Sequence, residues 1–325
     1  MMILEEEYLR RATLRKRTWQ PMKCFSSLYA LILYVSLVNK IILHVEDGPQ
    51  SIPYINVPTR YDITLQFETE YNKSSKVYSG TVSMVFEARE LSQHIYVHKG
   101  NTTYITNYAL FANNKKLSIR KGKYCKQTEI QTFISSNNLT TDTEYRLEIK
   151  FTGEFLPVIG LTEFTYISED GKMRYGIRFM SKQTARKGLR YLFPCLDSND
   201  YPAFFHFKVK RKLSLRVLGN YYVTHSTQSS LIYMTDTLPS QSILRPIQVG
   251  LVLCEFQYKT ETYDGLVVIN AFPSYVPCIF NHKKYTADAI IIPDTYTLHQ
   301  PGISILNEEE ILVESREFTN FNISM

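Results

Sequence analysis

The sequence predicts an all-β protein, and three observations carry that expectation. Apolar and polar residues alternate with period two in many short segments. Tyr61, Ile63, Leu65 and Phe67, for instance, interleave with Asp62, Thr64, Gln66 and Glu68, the pattern of a half-buried strand. The 24 tyrosines and 18 phenylalanines, against one tryptophan, suit a β-rich core. No strongly amphipathic helix precedes residue 280.

Taken in order, the strand signals begin at Tyr61. Val82, Met84 and Phe86 repeat the alternation after Gly80, and Ile95 and Val97 follow. Next come 104–111, 130–134 and the clean alternation Tyr145, Leu147, Ile149, Phe151. Asp170-Gly171 reads as a hairpin turn. Phe205, Phe207 and Val209 alternate with His206, Lys208 and Lys210, and Leu213, Leu215 and Val217 are expected to continue in kind. The apolar run 249–256 fits a buried strand, and 267–269 another. Many short strands at close spacing imply a sandwich or an open barrel.

The chain has 325 residues, 44% hydrophobic and 21% charged, as in a globular protein of one large or two ordinary domains. Its net charge of +6 is half contributed by residues 1–23, where six basic residues oppose Glu5, Glu6 and Glu7. What remains is no nucleic-acid signature. Residues 24–45 contain the apolar run FSSLYALILYVSLV behind that basic flank. They read either as a signal peptide or as a signal anchor contacting the membrane, with the flank in the cytoplasm. Residues 46–60, with Pro49, Pro53 and Pro58, read as a linker. Asn72, Asn101, Asn138 and Asn322 each open an N-x-Ser/Thr sequon. Together these features imply the secretory pathway, ending at the plasma membrane in type II orientation or outside the cell. Cys125, Cys195, Cys254 and Cys278 allow three pairings, and no C-x-x-C occurs.

The most idiosyncratic stretch is Phe179 to Phe205, FMSKQTARKGLRYLFPCLDSNDYPAFF. Pro194 and Pro202 remove backbone donors and favour extended neighbours. Asp197 to Asp200 form a turn cluster. By itself the stretch reads as an ordered crossing between strands. It resembles the T-Q-F-E-P-T-x-A-R-x-x-F-P-C-x-D-E-P segment of zinc aminopeptidases of the aminopeptidase N type. Phe193, Pro194, Cys195 and Asp197 match, as do Arg190 and Gln183. The likeness is collinear over roughly 55–315: VPTRYDITLQF (57–67), YSGTVSMVFEA (78–88), IYVHKGN (95–101), YRLEIKFTGEF (145–155) and DAIIIPDTY (288–296) fall in the family's order.

That resemblance implies a saddle-like, multi-stranded β domain over 61–272 and a short irregular stub of a catalytic domain over 273–325, behind the N-terminal apolar helix that the run within 24–45 predicts. It also exposes departures. The family Glu that recognises a substrate's α-amine falls on Ala185, leaving Gln183 as the substrate-binding remnant. The Glu of the G-A-M-E-N exopeptidase motif falls on Pro301, which can neither accept an ammonium nor donate a backbone hydrogen bond. The family uses zinc, but none of the seven histidines opens an H-E-x-x-H motif. The helix bearing that motif is expected just beyond Met325. His94 and His98 are four apart on a strand pattern, which favours a structural role. Glu308, Glu309 and Glu310 read as a solvated charge run, and no G-x-S-x-G or phosphate loop occurs.

The expectation is therefore a non-catalytic homologue, a pseudo-peptidase, with no catalytic or metal residues and no cofactor. It would bind a peptide, a protein partner or a full-length family member, and no nucleic acid. The rival reading is a truncated or fragmentary zinc metalloaminopeptidase, which releases N-terminal residues from peptides. A third is an adhesion or receptor ectodomain.

Overall fold

The computed structural model describes residues 51–67, 77–157, 159–167, 171–180, 188–255, 257–263, 266–272, 288–292, 298–300 and 303–307. The apolar segment 24–45 lies outside them, and no described helix is long and apolar enough to cross a membrane. The chain separates into two compact units, Met1–Asp47 and Gly48–Met325.

Among the described residues of the second unit, the regular structure is almost entirely strand. β1 (Asn56–Gln66), β2 (Val77–Ala88) and β3 (Ser92–His98) come first. Then follow β4 (Thr103–Ala112), β5 (Lys115–Leu117), β6 (Ile119–Cys125), β7 (Ile130–Leu139) and β8 (Glu144–Glu154). The hairpin of β9 (Gly160–Ile167) and β10 (Met173–Met180) precedes the crossing, with Gly171 at φ +70°. Beyond it lie β11 (Phe204–Lys212), β12 (Arg216–Gly219), β13 (His225–Gln228), β14 (Tyr233–Leu238) and β15 (Gly250–Cys254). The last strands are β16 (Gln257–Tyr263), β17 (Leu266–Phe272), β18 (Asp288–Ile292), β19 (Leu298–Gln300) and β20 (Ile303–Asn307).

An eight-stranded sheet runs β13-β14-β11-β1-β2-β8-β4-β5, a four-stranded sheet β12-β15-β10-β9, and a three-stranded sheet β3-β7-β6. All three are open. Their inward residues form one core: Tyr61, Ile63 and Leu65 of β1, Val82, Met84 and Phe86 of β2, Leu147, Ile149 and Phe151 of β8. Ile95, Val97 and Phe133 enter from the small sheet, and Phe179, Leu251 and Leu253 from the four-stranded one. The all-β class is thus realised, with period-two alternation deciding which face is buried. Each large apolar side chain taken from water contributes about 1.5–3 kcal/mol.

Three expectations change. β1 starts at Asn56, inside the segment read as a linker, and Pro58 sits within it. A proline is tolerated there because the β1–β2 register shifts between Pro58 and Arg60, a bulge that needs no donor at that position. Leu213 and Leu215 do not continue β11. The buried Arg211 guanidinium donates to the carbonyls of Lys212 and Leu215, folding the chain back, and Leu213 is exposed. The part expected to be irregular carries β18, β19 and β20, which join β16 and β17 in a five-stranded sheet. Ile290–Ile292 is a β-branched, apolar run, and Ile303, Ile305 and Leu306 make the second segment mostly apolar, both suited to strands. β17 and β18 pair in parallel, as do β18 and β20.

Candidate functional site

β11 lies parallel to β1, although some 140 residues separate them in the chain, with Tyr61 opposite Phe205 and Ile63 opposite Phe207. The crossing 181–203 delivers β11 to that position. Residues 181–187, with Gln183 and Ala185, lie outside the described residues, as do Pro301, Asn72 and Asn322. What is described, from Gly188 onward, is the anchor of the stretch.

Arg190 is its hub, only 3% exposed. Its Nε donates to Asp197 Oδ2 at 2.8 Å, and its Nη2 to the Asp197 carbonyl at 3.1 Å. Its Nη1 donates to Glu129 Oε2 at 3.1 Å. Asp197 Oδ2 also accepts the backbone N–H groups of Gly188 and Arg190. Glu129 Oε1 accepts the Tyr191 hydroxyl at 2.5 Å. Glu129 sits in the left-handed region at φ +59° in the turn before β7, a backbone state that costs a non-glycine residue free energy. The buried triad that it completes offsets that cost. Burial, and then the Glu129 carboxylate, push the Tyr191 hydroxyl well above its ordinary pKa, so it remains a donor.

Tyr191 fits because its neighbours have no side chain. A Cβ at Gly100 would lie 2.4 Å from its ring, and one at Gly160, whose φ is +82°, would lie 2.8 Å from its Cβ. The following residues are tied to three strands. Cys195 and His98 exchange backbone hydrogen bonds at 3.1 and 2.8 Å. His98 Nδ1 accepts the Asp197 N–H at 3.0 Å, a structural use of that histidine. The Tyr61 hydroxyl oxygen accepts the Leu196 N–H, and the Tyr78 hydroxyl donates to the carbonyls of Tyr191 and Leu192. Phe193 packs between Tyr61 and Phe207, ring centres 6.0 and 6.1 Å away.

The arrangement positions; it does not activate. Burial, and then the Asp197 charge, raise the Cys195 thiol well above its ordinary pKa, the reverse of what a nucleophile needs. Among the described residues no group of three or more His, Cys, Asp or Glu could hold a metal. The donor set there does not fit a catalytic zinc: His98 is engaged by Asp197, and His206 Nδ1 accepts the Ser240 N–H. The cleft lined by Phe205, Phe207, Asn220, Tyr221 and Leu244 encloses about 10 Å³, room for one water. Asn101 and Asn138 are exposed.

These geometries lie within a span that a family model matches. The family model of the Peptidase M1 N-terminal domain matches residues 57–235, more than half of the chain, from β1 into β14. The chain belongs to this family. Comparison with curated proteins returned no match. The likeness to aminopeptidases is thereby established at the level of the M1 N-terminal domain, and the matched span contains the whole anchor from Gly188 to Asp197.

Two residues of this M1 domain escaped sequence reasoning. Glu129 carried no signal, since it merely precedes a strand. Lys99, in the segment 95–101, is 8% exposed. Its Nζ donates to the carbonyls of Gly100 and Thr103 and lies 4.2 Å from the centre of the Tyr124 ring. Desolvation, with Lys121 adding to it against Glu129, lowers its pKa to about 8. A lysine with a lowered folded pKa binds fewer protons than in the unfolded chain between about 8 and 10.5, so its contribution to stability rises with pH there. Cys195, Tyr61, Tyr78 and Tyr191 are shifted upward and act oppositely as pH climbs above their ordinary values. The stability of Lys99→Met relative to the parent should therefore fall as pH rises from 8 to 10.5. A pH-independent difference in urea midpoints would contradict this assignment.

Proposed function

We propose that the chain is a non-catalytic, aminopeptidase-N-like protein of the secretory pathway or cell surface, which binds a peptide or protein through its β domain. The supporting observation is that both buried carboxylates of the anchor, one from the crossing and one from the turn before β7, are already committed. Asp197 and Glu129 each meet Arg190, and Glu129 also meets Tyr191. A substrate ammonium brought into this site would need a carboxylate partner against its desolvation. By the resemblance to zinc aminopeptidases of the aminopeptidase N type, the positions that would supply one fall on Ala185 and Pro301.

The test is a purification from secreting cells, followed by metal analysis and hydrolysis assays with aminoacyl-naphthylamides. The expected result is neither bound zinc nor hydrolysis, together with capture of peptide or protein ligands that is indifferent to N-acetylation. Stoichiometric zinc with hydrolysis would establish the metalloaminopeptidase reading instead. Capture of a cell-surface protein that excess free peptide does not displace would establish the adhesion reading.

A further inference from the structure

The outward face of the eight-stranded sheet is assembled from residues far apart in sequence. Lys208 of β11 lies opposite Thr64 of β1 and Thr237 of β14, Thr64 opposite Thr81 of β2, and Thr81 opposite Lys150 of β8. One row across the sheet therefore reads Thr237, Lys208, Thr64, Thr81, Lys150, Asn107. The next reads Thr235, Lys210, Gln66, Ser79, Thr152, Tyr104. Lys212 continues the β11 stripe, opposite Tyr233. The lysines of this stripe are spaced about 6.7 Å apart, and three strand spacings put Lys150 about 14 Å from Lys208.

Neither row contains a carboxylate. Among the described residues, the carboxylates nearest to them on this face are Asp62, paired with Arg60 at 3.0 Å, Glu148, paired with Arg146, and Glu154, which accepts the Tyr104 hydroxyl at 3.2 Å and keeps its charge at the end of β8. Lys150 and Lys208 are exposed, and Lys210 and Lys212 are half-buried. The Lys210 ammonium lies 5.2 Å from the centre of the Tyr233 ring. Hydroxyl and amide groups fill the space between the four cations.

We propose that this face binds a linear sulfated glycan. Point cations on a rigid sheet suit an extended polyanion, and the intervening Thr, Ser, Gln and Asn side chains match sugar hydroxyls and sulfate oxygens. The rows offer no apolar pocket for the anchors that dominate protein interfaces. They also lack the ladder of exposed rings on which single-stranded bases stack. The inference is independent of whether the chain hydrolyses or binds peptides.

The test uses immobilised heparin fragments of defined length, with unsulfated chains of the same backbone as reference, and the full chain held in detergent. Sulfated chains should bind in a salt-sensitive manner and unsulfated ones should not. Replacing Lys150, Lys208, Lys210 and Lys212 by Gln should weaken binding about tenfold or more. Two charge-matched controls should change it less than about threefold. One replaces the exposed Lys115, Arg120, Lys123 and Lys126, and the other Arg10, Arg11, Arg15 and Arg17. Lys210→Gln alone, which leaves the core untouched, should give an intermediate loss. Equal losses in all three multiple variants, or displacement by polyglutamate or duplex DNA as effective as by heparin, would overturn the proposal.

Discussion

Arg190→Ala should lower the unfolding free energy by about 3–5 kcal/mol, the range for breaking a buried ion pair from one side. The reason is what the substitution leaves behind. Asp197 and Glu129, 4% and 7% exposed, would both lose their cation, and the Asp197 carbonyl would lose its donor. Chemical denaturation with and without the substitution measures this directly, and a loss below about 1 kcal/mol would show that the triad is solvated in solution. Replacing Arg190, Glu129 and Asp197 together by apolar residues of similar volume should recover part of the loss, since no charge is then stranded. Recovery should be incomplete. Asp197 Oδ2 also satisfies two backbone donors, from Gly188 and Arg190, and an apolar side chain at 197 would leave both unmet.

Phe193→Ala should cost a comparable amount, about 3–5 kcal/mol, through a different mechanism. The ring is fully buried between Tyr61 and Phe207, which stand on the parallel strands β1 and β11. The rigid eight-stranded sheet that carries both rings limits collapse into the space vacated. Phe193→Leu, which refills most of that volume, should cost less than about half as much. Comparable losses in the two variants would mean that shape at this position matters more than volume. The urea dependence should stay unchanged in both, because the surface exposed on unfolding is the same.

How far the sequence disclosed this depended on the range over which each feature is determined. β1, β2, β8 and β11 were legible because one face is buried along each whole strand, and alternation is local. The same rule failed at Leu213 and Leu215. There the inward position after Val209 is occupied by Arg211, whose charge is satisfied by Asp236 at 2.5 Å from another strand. A buried charge paired at a distance leaves no local trace. Glu129 was illegible for the same reason: its partners Arg190 and Tyr191 stand about sixty residues away in the chain. Phe193, Pro194, Cys195 and Asp197 stand out in the sequence as a motif, but only the geometry shows what Phe193, Cys195 and Asp197 hold. The sulfate-binding face was invisible in sequence, because Lys150 and Lys208 meet only through the β11-β1-β2-β8 order of the sheet.

The two carbonyls that share the Tyr78 hydroxyl, and the two backbone N–H groups that share Asp197 Oδ2, have an evolutionary consequence. Together with the fully buried Phe179 in β10, they fix the chain on both sides of residues 181–187. The groups held are backbone, which a substitution does not alter, so the selective load falls on the two side chains that hold them. Tyr78 and Asp197 are therefore what a lineage must keep for this crossing to survive.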